Sequence, residues 1–497
     1  MKWNWKKNTS LPFQDVFGPI ESTITHVTYD SRKIQENGCF VSIPGKNIDG
    51  HTFIPDAVRN GASTIVGSDH DTLIHYAASF PAVTFVLVED SKTAMADYAA
   101  HLHHHIHKKM NLFGVTGTNG KTTVTAYIRS MLNNLGEPAG IIGTAGVWSK
   151  NNKHPFKPTT PTTPEAADLH DIFASFYEEG TRTVAMEATS IAIDLKRLHG
   201  LEFEVGVHTN LVSEHMEFHG TMENYKRAKL KLFEQSRQAV VNLDDDGMAQ
   251  DILNMFEGPV WTYGIRRPAD IMASNIRTDA GGSSFLLTVQ GRSYLARAPV
   301  FGEYNISNTL AAVGSCLAVG YTVSEILSSL PGIQGAEGRF QIVSDYPGKQ
   351  IILDYAHTPD ALELVVETVK SLPHNRLILM ITGIGLRDPA KRPKMAAAVD
   401  GKADHIIVSV DHPGPYNRQR IVDDVASGFQ DPEAENVYKR KHREDGIHTA
   451  LSLAETGDLV VITGLGFGGY QVINDQHVPY DELKVIDAYF QEDRQLS

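Results

Sequence analysis

The chain has 497 residues and a formal net charge of −14, which argues against a broad nucleic-acid or anionic-membrane surface but leaves room for local basic pockets that hold phosphate. With 41% hydrophobic and 21% charged residues it has the make-up of a globular protein, and it is too long for one hydrophobic core. Two distant cysteines, Cys39 and Cys316, a basic start without an apolar leader, and no membrane-length apolar run together predict a cytoplasmic protein with no disulfide framework.

Residues 1–109 read as a first α/β domain, with short strands at 39–43 and 64–66 and part of a helix at 57–62. Asp30-Ser31-Arg32 and the stretch 45–51, which ends Asp49-Gly50-His51, are polar loops that can hold a ligand, although taken alone a surface-turn reading is favoured. The run from His101 to His107 has helical i,i+4 histidine pairs (His101/His105, His103/His107) of the kind that bind metal. Lys108 and Lys109 follow at once, and no carboxylate or cysteine is interleaved. A solvated helix end is therefore expected.

Residues 110–337 read as a nucleotide domain. An apolar strand at 111–115 runs into Gly117-Thr118-Asn119-Gly120-Lys121-Thr122-Thr123, which opens a helix that stops near Gly136. Glycines let successive N–H groups curl inward at an anion, and the helix N-terminus adds partial positive charge. Lys121 can reach terminal phosphates, and the Thr122 hydroxyl can hold magnesium. The spacing departs from the usual loop in one respect, since Val115 stands where a glycine is expected and Gly114 precedes it. Strands at 184–186 and 204–207 end in Glu187 and in Thr209-Asn210. In a doubly wound parallel sheet these ends face the same crevice as Lys121, and a carboxylate there suits magnesium. Further on, 213–220 is rich in candidate ligands, including His215, and Thr221 caps a helix through Glu234. Met222, Tyr225, Leu232 and Phe233 form its apolar stripe, with Lys229 in the middle. Such a lysine either snorkels out or is tuned by burial, which lowers its pKa and lets the neutral amine take up carbon dioxide as a carbamate. Spacing alone favours snorkelling. Asn305 and Asn308 open a small-residue helix, where they can bind a base or cap the helix.

A composition break near Gly338 starts a third domain, 338–497, again with alternating strands and helices. Its strands end in Asp354, in 382–385, in Asp411-His412-Pro413, and in Thr463-Gly464 with the residues that follow.

These motifs, in this order along nearly the whole chain, resemble the Mur ligases, and among them the type that adds the third amino acid of the peptidoglycan stem peptide. Residues 117–123 look like the family's ATP loop, and Thr162-Thr163-Pro164-Glu165 like its muramyl-substrate loop. Glu187-Ala188-Thr189-Ser190 with Arg197 resembles another substrate stretch, and 209–225 the magnesium region. Lys229 sits where the family carries a carbamylated lysine. Asn305, Asn308, Arg339 and Asp354-Tyr355-Ala356-His357 match adenine, hinge and phosphate positions, and Ser31 lies in a region similar to the uridine-binding part. The resemblance implies three domains: an N-terminal α/β domain for a UDP-sugar, a central phosphate-loop ATPase sheet, and a C-terminal Rossmann-like domain for an amino acid. It implies ATP and two magnesium ions, with Thr122 and Glu187 on one ion and His215 and carbamylated Lys229 on the other. Arg197 would clamp a substrate anion. The expected partners are small molecules, UDP-muramyl dipeptide and an amino acid, handled by a monomer with no nucleic acid or membrane partner. The implied reaction makes an acyl phosphate that an amine then attacks.

Several departures stand out. Glu214 replaces an aspartate, Ile191 a histidine, and 384–388 (Ile-Gly-Leu-Arg-Asp) lacks one acidic residue. Enzymes that take meso-diaminopimelate carry Asp-Asn-Pro-Arg and a later Gly-Lys-Gly-His-Glu. Here Asp411-His412-Pro413-Gly414 and 464–468 replace them, without the arginine fork or the glutamate. A site that loses a bidentate arginine should lose its preference for a carboxylate. The reading therefore predicts an acceptor other than meso-diaminopimelate, bound around Asp411, His412, Gly414 and Gly464. Two alternatives accompany it: a relative that joins an amino acid to a different carboxylate, in the manner of folylpolyglutamate or cyanophycin ligases, and a nucleotide-binding partner protein without catalysis.

Overall fold

A computed structural model describes residues 1–7, 11–45, 48–150, 152–155, 160, 162–214, 216–343, 346, 348–464 and 469–496, with the side chains of 492–496 excepted. The chain forms two compact units. One comprises 1–274, 287–294 and 307–333; the other comprises 275–286, 295–306 and 334–497.

The first unit begins with a five-stranded sheet in the order Asp15–Phe17, Thr84–Leu87, Ala62–Gly67, Gly38–Val41, His26–Thr28. Only the first pair is antiparallel. Every residue of Gly38–Val41 and Thr84–Leu87 is buried, the signature of strands covered on both faces. The predicted helix at 57–62 is Ile54–Arg59, and Ala62 already belongs to the next strand. Asp90 caps the helix Ser91–Leu102 by accepting from the Thr93 N–H, and its Ala94, Met95, Tyr98 and Ala99 pack in one core with Trp3 and Trp5.

That helix ends at Leu102, inside the histidine run, and takes in only His101. His104 and His105 take left-handed backbone conformations (φ 54° and 53°), so His103 and His107 do not share a helix face. His107 is buried with its ring 4.8 Å from that of His170, and His103 Nε2 lies 2.7 Å from Asp171 Oδ1. The expected solvated helix end is thus corrected at His107, because the turn carries it inward. Among the described residues no group of three or more His, Cys, Asp or Glu is placed to hold a metal.

The central sheet runs Gly146–Trp148, Ala139–Gly143, Thr183–Glu187, Asn111–Thr116, Phe203–His208, Ser236–Asn242, Val260–Gly264 and onward. After the antiparallel first pair these strands are parallel. Asn111–Thr116 lies between two strands that come later in the chain, with Glu187 level with Val115 and His208 level with Thr116. This order brings three polar strand ends to one edge of the sheet.

The second unit holds a six-stranded sheet in the order Gln341–Val343, Gln350–Asp354, Leu459–Thr463, Leu377–Ile384, His405–Asp411, Val437–Lys439. It too is parallel after an antiparallel first pair. Leu377–Ile384 is buried throughout. Among the described residues no helix is long and apolar enough to cross a membrane.

Candidate active site

The phosphate-loop motif forms the predicted strand, turn and helix. Gly120 is the N-cap of the helix Lys121–Asn134 at φ 89°, a left-handed conformation that glycine adopts freely. A Cβ there would stand 2.6 Å from Asn308 Oδ1. The end of the neighbouring strand clamps the turn. Thr118 N donates to Asn210 O at 2.8 Å, Asn119 N to Asn210 Oδ1 at 2.9 Å, and Thr209 Oγ1 to Asn119 O at 2.6 Å. Thr118 Oγ1 donates to Val212 O and lies 3.2 Å from the Tyr225 hydroxyl. Lys121 folds back, its Nζ donating to Gly117 O at 2.9 Å and Thr118 O at 2.8 Å. Thr123 is buried in the first turn.

Thr122 Oγ1 donates to Glu187 Oε1 at 2.9 Å, and Glu187 is 1% exposed. Thr144 N also donates to Oε1, at 2.7 Å. Sequence reading missed Thr144; its only signal was a hydroxyl residue directly after a strand. The hydroxyl and carboxylate are hard oxygen donors that fit magnesium. They are too few to hold it alone, so the remaining ligands would have to be nucleotide oxygens, water or further protein groups.

Lys229 does not snorkel. It is 2% exposed, its Nζ donates to Gly117 O at 2.7 Å, and it stands 4.5 Å from the centre of the Tyr225 ring. Burial holds its pKa well below the usual lysine value; Lys121 adds to the lowering and Glu214 opposes it. On the same helix Tyr225, Leu232 and Phe233 are buried as expected, but Met222 is exposed. His215 lies outside the described residues.

The proposed substrate residues gather nearby. Thr163 Oγ1 donates to Glu187 O at 2.8 Å, and Thr162 Oγ1 lies 3.0 Å from Thr144 Oγ1. Ser190 Oγ is 2.9 Å from His219 Nε2, a partner the sequence reading did not single out. Arg197 is already engaged: its Nε is 2.7 Å from Glu165 Oε1, and its guanidinium donates to Thr163 O at 3.0 Å. Burial raises the Glu165 pKa and Arg197 opposes that. In the N-terminal sheet region Ser31 is buried in a turn capped by Asp30, and its carbonyl accepts from Asn60 Nδ2 at 2.9 Å.

In the second unit Asn305 Nδ2 donates to Phe301 O at 3.0 Å, which ties down the start of its own helix. The Arg339 guanidinium lies 4.0 Å from the centre of the Tyr355 ring. Asp354 accepts from Phe340 N and Ala356 N, both at 2.8 Å; burial raises its pKa and Arg339 opposes that. His357 Nδ1 donates to Tyr355 O at 2.9 Å. Asp411 is fully buried, and one of its carboxylate oxygens accepts the His412 N–H. His412 Nδ1 accepts from Val472 N at 3.1 Å. Gly414 and Gly464 have φ of 57° and 122°. The stretch 465–468 lies outside the described residues.

A strand-to-helix phosphate turn, a threonine–carboxylate pair beside it and a buried lysine amine against the turn make a site suited to the phosphates of a nucleotide. Comparison with known proteins agrees. Residues 23–107 match the model described as Mur ligase family, catalytic domain; 115–316 match the Mur ligase middle domain; 338–466 match the Mur ligase, glutamate ligase domain. UDP-N-acetylmuramoyl-L-alanyl-D-glutamate--2,6-diaminopimelate ligase 2 of Clostridium acetobutylicum is 35% identical over 480 residues, 96% of this chain and 98% of its own. The corresponding ligase of Geobacillus kaustophilus is 35% identical over 478 residues, 94% of this chain and 95% of its own. A solved UDP-N-acetylmuramoyl-L-alanyl-D-glutamate--2,6-diaminopimelate ligase superimposes with a TM-score of 0.67 at 27% identity, covering 94% of this chain and 95% of that one. The MurF ligase of Thermotoga maritima in complex with ADP shares the fold, with a TM-score of 0.63 at 18% identity over 94% and 97%. The chain belongs to the Mur ligase family, with its three-domain α/β architecture, and is an ATP-dependent amino-acid ligase.

One expectation is overturned. The missing arginine fork predicted an acceptor other than diaminopimelate, yet relatives that match over nearly the whole chain are named 2,6-diaminopimelate ligases. The expectation rested on two short motifs. A linear motif counts only the charged groups of its own segment, whereas acceptor preference depends on every group that meets the acceptor. Burial lowers the His412 pKa and Asp411 opposes this, while Arg443, Arg387 and His477, from three other segments, add to the lowering.

Proposed function

We propose that this chain joins 2,6-diaminopimelate to UDP-N-acetylmuramoyl-L-alanyl-D-glutamate. The substrate carboxylate takes the terminal phosphoryl group of ATP, giving an acyl phosphate and ADP. The acceptor amine then displaces phosphate to form the amide. In this reading residues 1–109 hold the uridine sugar, 110–337 the ATP and 338–497 the acceptor. Sheet edges lined by Ser31, by the phosphate loop and by Asp411, His412, Gly414 and Gly464 support that division.

The observation that carries the reading is the buried Lys229 amine on Gly117 O. Burial lowers the pKa of the amine, and its neutral form can take up carbon dioxide and release a proton, which leaves a carboxylate-like anion beside the phosphate loop. Magnesium, when bound, neutralises charge on the transferring phosphoryl group. Thr122, Glu187, the Lys229 carbamate and His215 are the residues assigned to hold it. Lys121 leaves its two carbonyl partners to steady the phosphates, and the main-chain N–H groups of 121–123, in the first turn of the helix, orient them. Asn305, Asn308, Arg339, Asp354, Tyr355 and His357 are assigned to the nucleotide. Thr162, Thr163, Ser190 and Arg197 are assigned to the muramyl dipeptide, whose anion would exchange with Glu165 at Arg197.

The test is phosphate release from ATP with UDP-N-acetylmuramoyl-L-alanyl-D-glutamate and a panel of amino acids. Release that requires meso-diaminopimelate, with the amide product detected by mass, is the expected result. Release only with lysine, or only with a different carboxylate, would refute the substrate assignment.

A further inference from the structure

Among the described residues Arg443 is the most deeply buried arginine of the second unit, at 1% exposure, and the ATP chemistry above does not use it. It opens the helix Arg443–Leu453 and projects beneath the C-terminal ends of three strands that are neighbours in the sheet. One guanidinium nitrogen donates to Thr382 Oγ1 at 2.8 Å and to Thr463 O at 3.1 Å, and lies 3.7 Å from Asp411 Oδ2. Those contacts fall on strands Leu377–Ile384, Leu459–Thr463 and His405–Asp411 respectively. Its other side makes a two-pronged pair with Glu482, Nε to Oε2 at 3.0 Å and the second terminal nitrogen to Oε1 at 2.7 Å. Glu482 is 5% exposed and opens the C-terminal helix Glu482–Leu496.

This arrangement is costly to build. Three ionisable groups are out of water, and only geometry that satisfies nearly every donor offsets their desolvation. The planar guanidinium suits this task because its donors are fixed in one fork. The strand ends it joins lead directly into Gly464 and into His412-Pro413-Gly414, the loops assigned above to the acceptor. A Cβ on Gly464 would stand 2.7 Å from the same guanidinium nitrogen. Two loops that must hold one small amino acid therefore take their relative position from a single buried cation, anchored from behind by the C-terminal helix.

We propose that Arg443, held by Glu482, is a positioning residue for the acceptor amino acid. It fixes the Asp411–Gly414 and Thr463–Gly464 loops against each other, so the Arg443–Glu482 pair sets acceptor affinity and leaves ATP handling alone. The proposal rests on the assignment of these loops to the acceptor.

The test uses the full chain with Glu482→Gln, which keeps shape and removes charge, and Arg443→Lys, which keeps charge and removes the fork. KM is measured separately for ATP, UDP-N-acetylmuramoyl-L-alanyl-D-glutamate and the acceptor, alongside melting temperature. The expected result is an acceptor KM raised about tenfold or more, the scale of one charge-assisted hydrogen bond, with kcat and ATP KM within about twofold. Glu482→Asp, which restores the charge, should recover part of the loss. An unchanged acceptor KM overturns the proposal. So does a fall in melting temperature with all three KM values moving together, or with no folded variant recovered, because the pair is then only structural. Should the wild-type chain turn over another amino acid, the substrate assignment fails, and the same comparison made with that amino acid still decides the role of Arg443.

Discussion

The side-chain nitrogen of Lys229 donates to the main-chain oxygen of Gly117, 112 positions earlier in the chain, at 2.7 Å. A charged ammonium in that place would have the neighbouring Lys121 to repel it and little water to solvate it. A neutral amine lowers both costs, and it is the form that reacts with carbon dioxide.

Lys229→Ala removes the amine and should lower phosphate release by about 10²-fold or more, the scale seen when a preorganised charge partner is lost. Short carboxylic acids added to the assay should restore part of the activity by standing in for the carbamate. Mass analysis of the wild-type chain under carbon dioxide should show one added carboxyl group that the variant lacks. Unsupplemented activity close to wild type would rule the carbamate out.

Thr122→Val takes away the hydroxyl that meets Glu187 Oε1 at 2.9 Å but leaves the Thr144 N–H on that carboxylate. Stability should therefore fall by only about 1 kcal/mol, while kcat falls by roughly 10²-fold. Urea unfolding and steady-state kinetics on the same preparation separate the two effects. A loss of stability without a loss of kcat would make the pair a packing contact.

The buried His107 gives an acid-sensitive fold. Burial, then His105 and Lys108, push its pKa from 6.5 down to about 4, and burial, then His107 itself, depress His170. Between pH 6.5 and about 4 the unfolded chain takes up protons that the native chain refuses, so stability falls as pH drops through that window. The melting temperature should decline from pH 7 to pH 4.5. His107→Leu should flatten the decline. Parallel pH curves for variant and wild type would remove His107 from the account.

Gly414→Arg, which writes into the loop the arginine that the family resemblance leads one to expect, should raise rather than lower the acceptor KM. Position 414 has φ 57°, and a Cβ there would meet Leu386 Cδ2 at 2.4 Å. A side chain in that conformation costs about 1 kcal/mol or more, and Leu386 must swing away. A KM for diaminopimelate below wild type would show that the loop relaxes more easily than its backbone indicates.

The sequence determined what depends on neighbours along the chain. The phosphate turn is local: an apolar strand, glycines at positive φ and a helix start within a dozen residues specify it, and Gly117 to Thr123 were readable for that reason. Strand ends carrying Glu187, Asp354 and Asp411 were legible because buried parallel strands are short apolar runs that stop at polar residues. Tertiary structure decided everything that turns on which distant groups meet. Whether Lys229 snorkels or is buried depends on a turn 112 residues away. Arg197 looked like a free clamp for a substrate anion until the fold set Glu165 beside it. The segment 411–414 was read from its own residues alone, while Arg443, Arg387 and His477, which help to lower the His412 pKa, come from separate segments. Burial and electrostatics add through space, and a linear pattern records only the part of that sum contributed by its own neighbours.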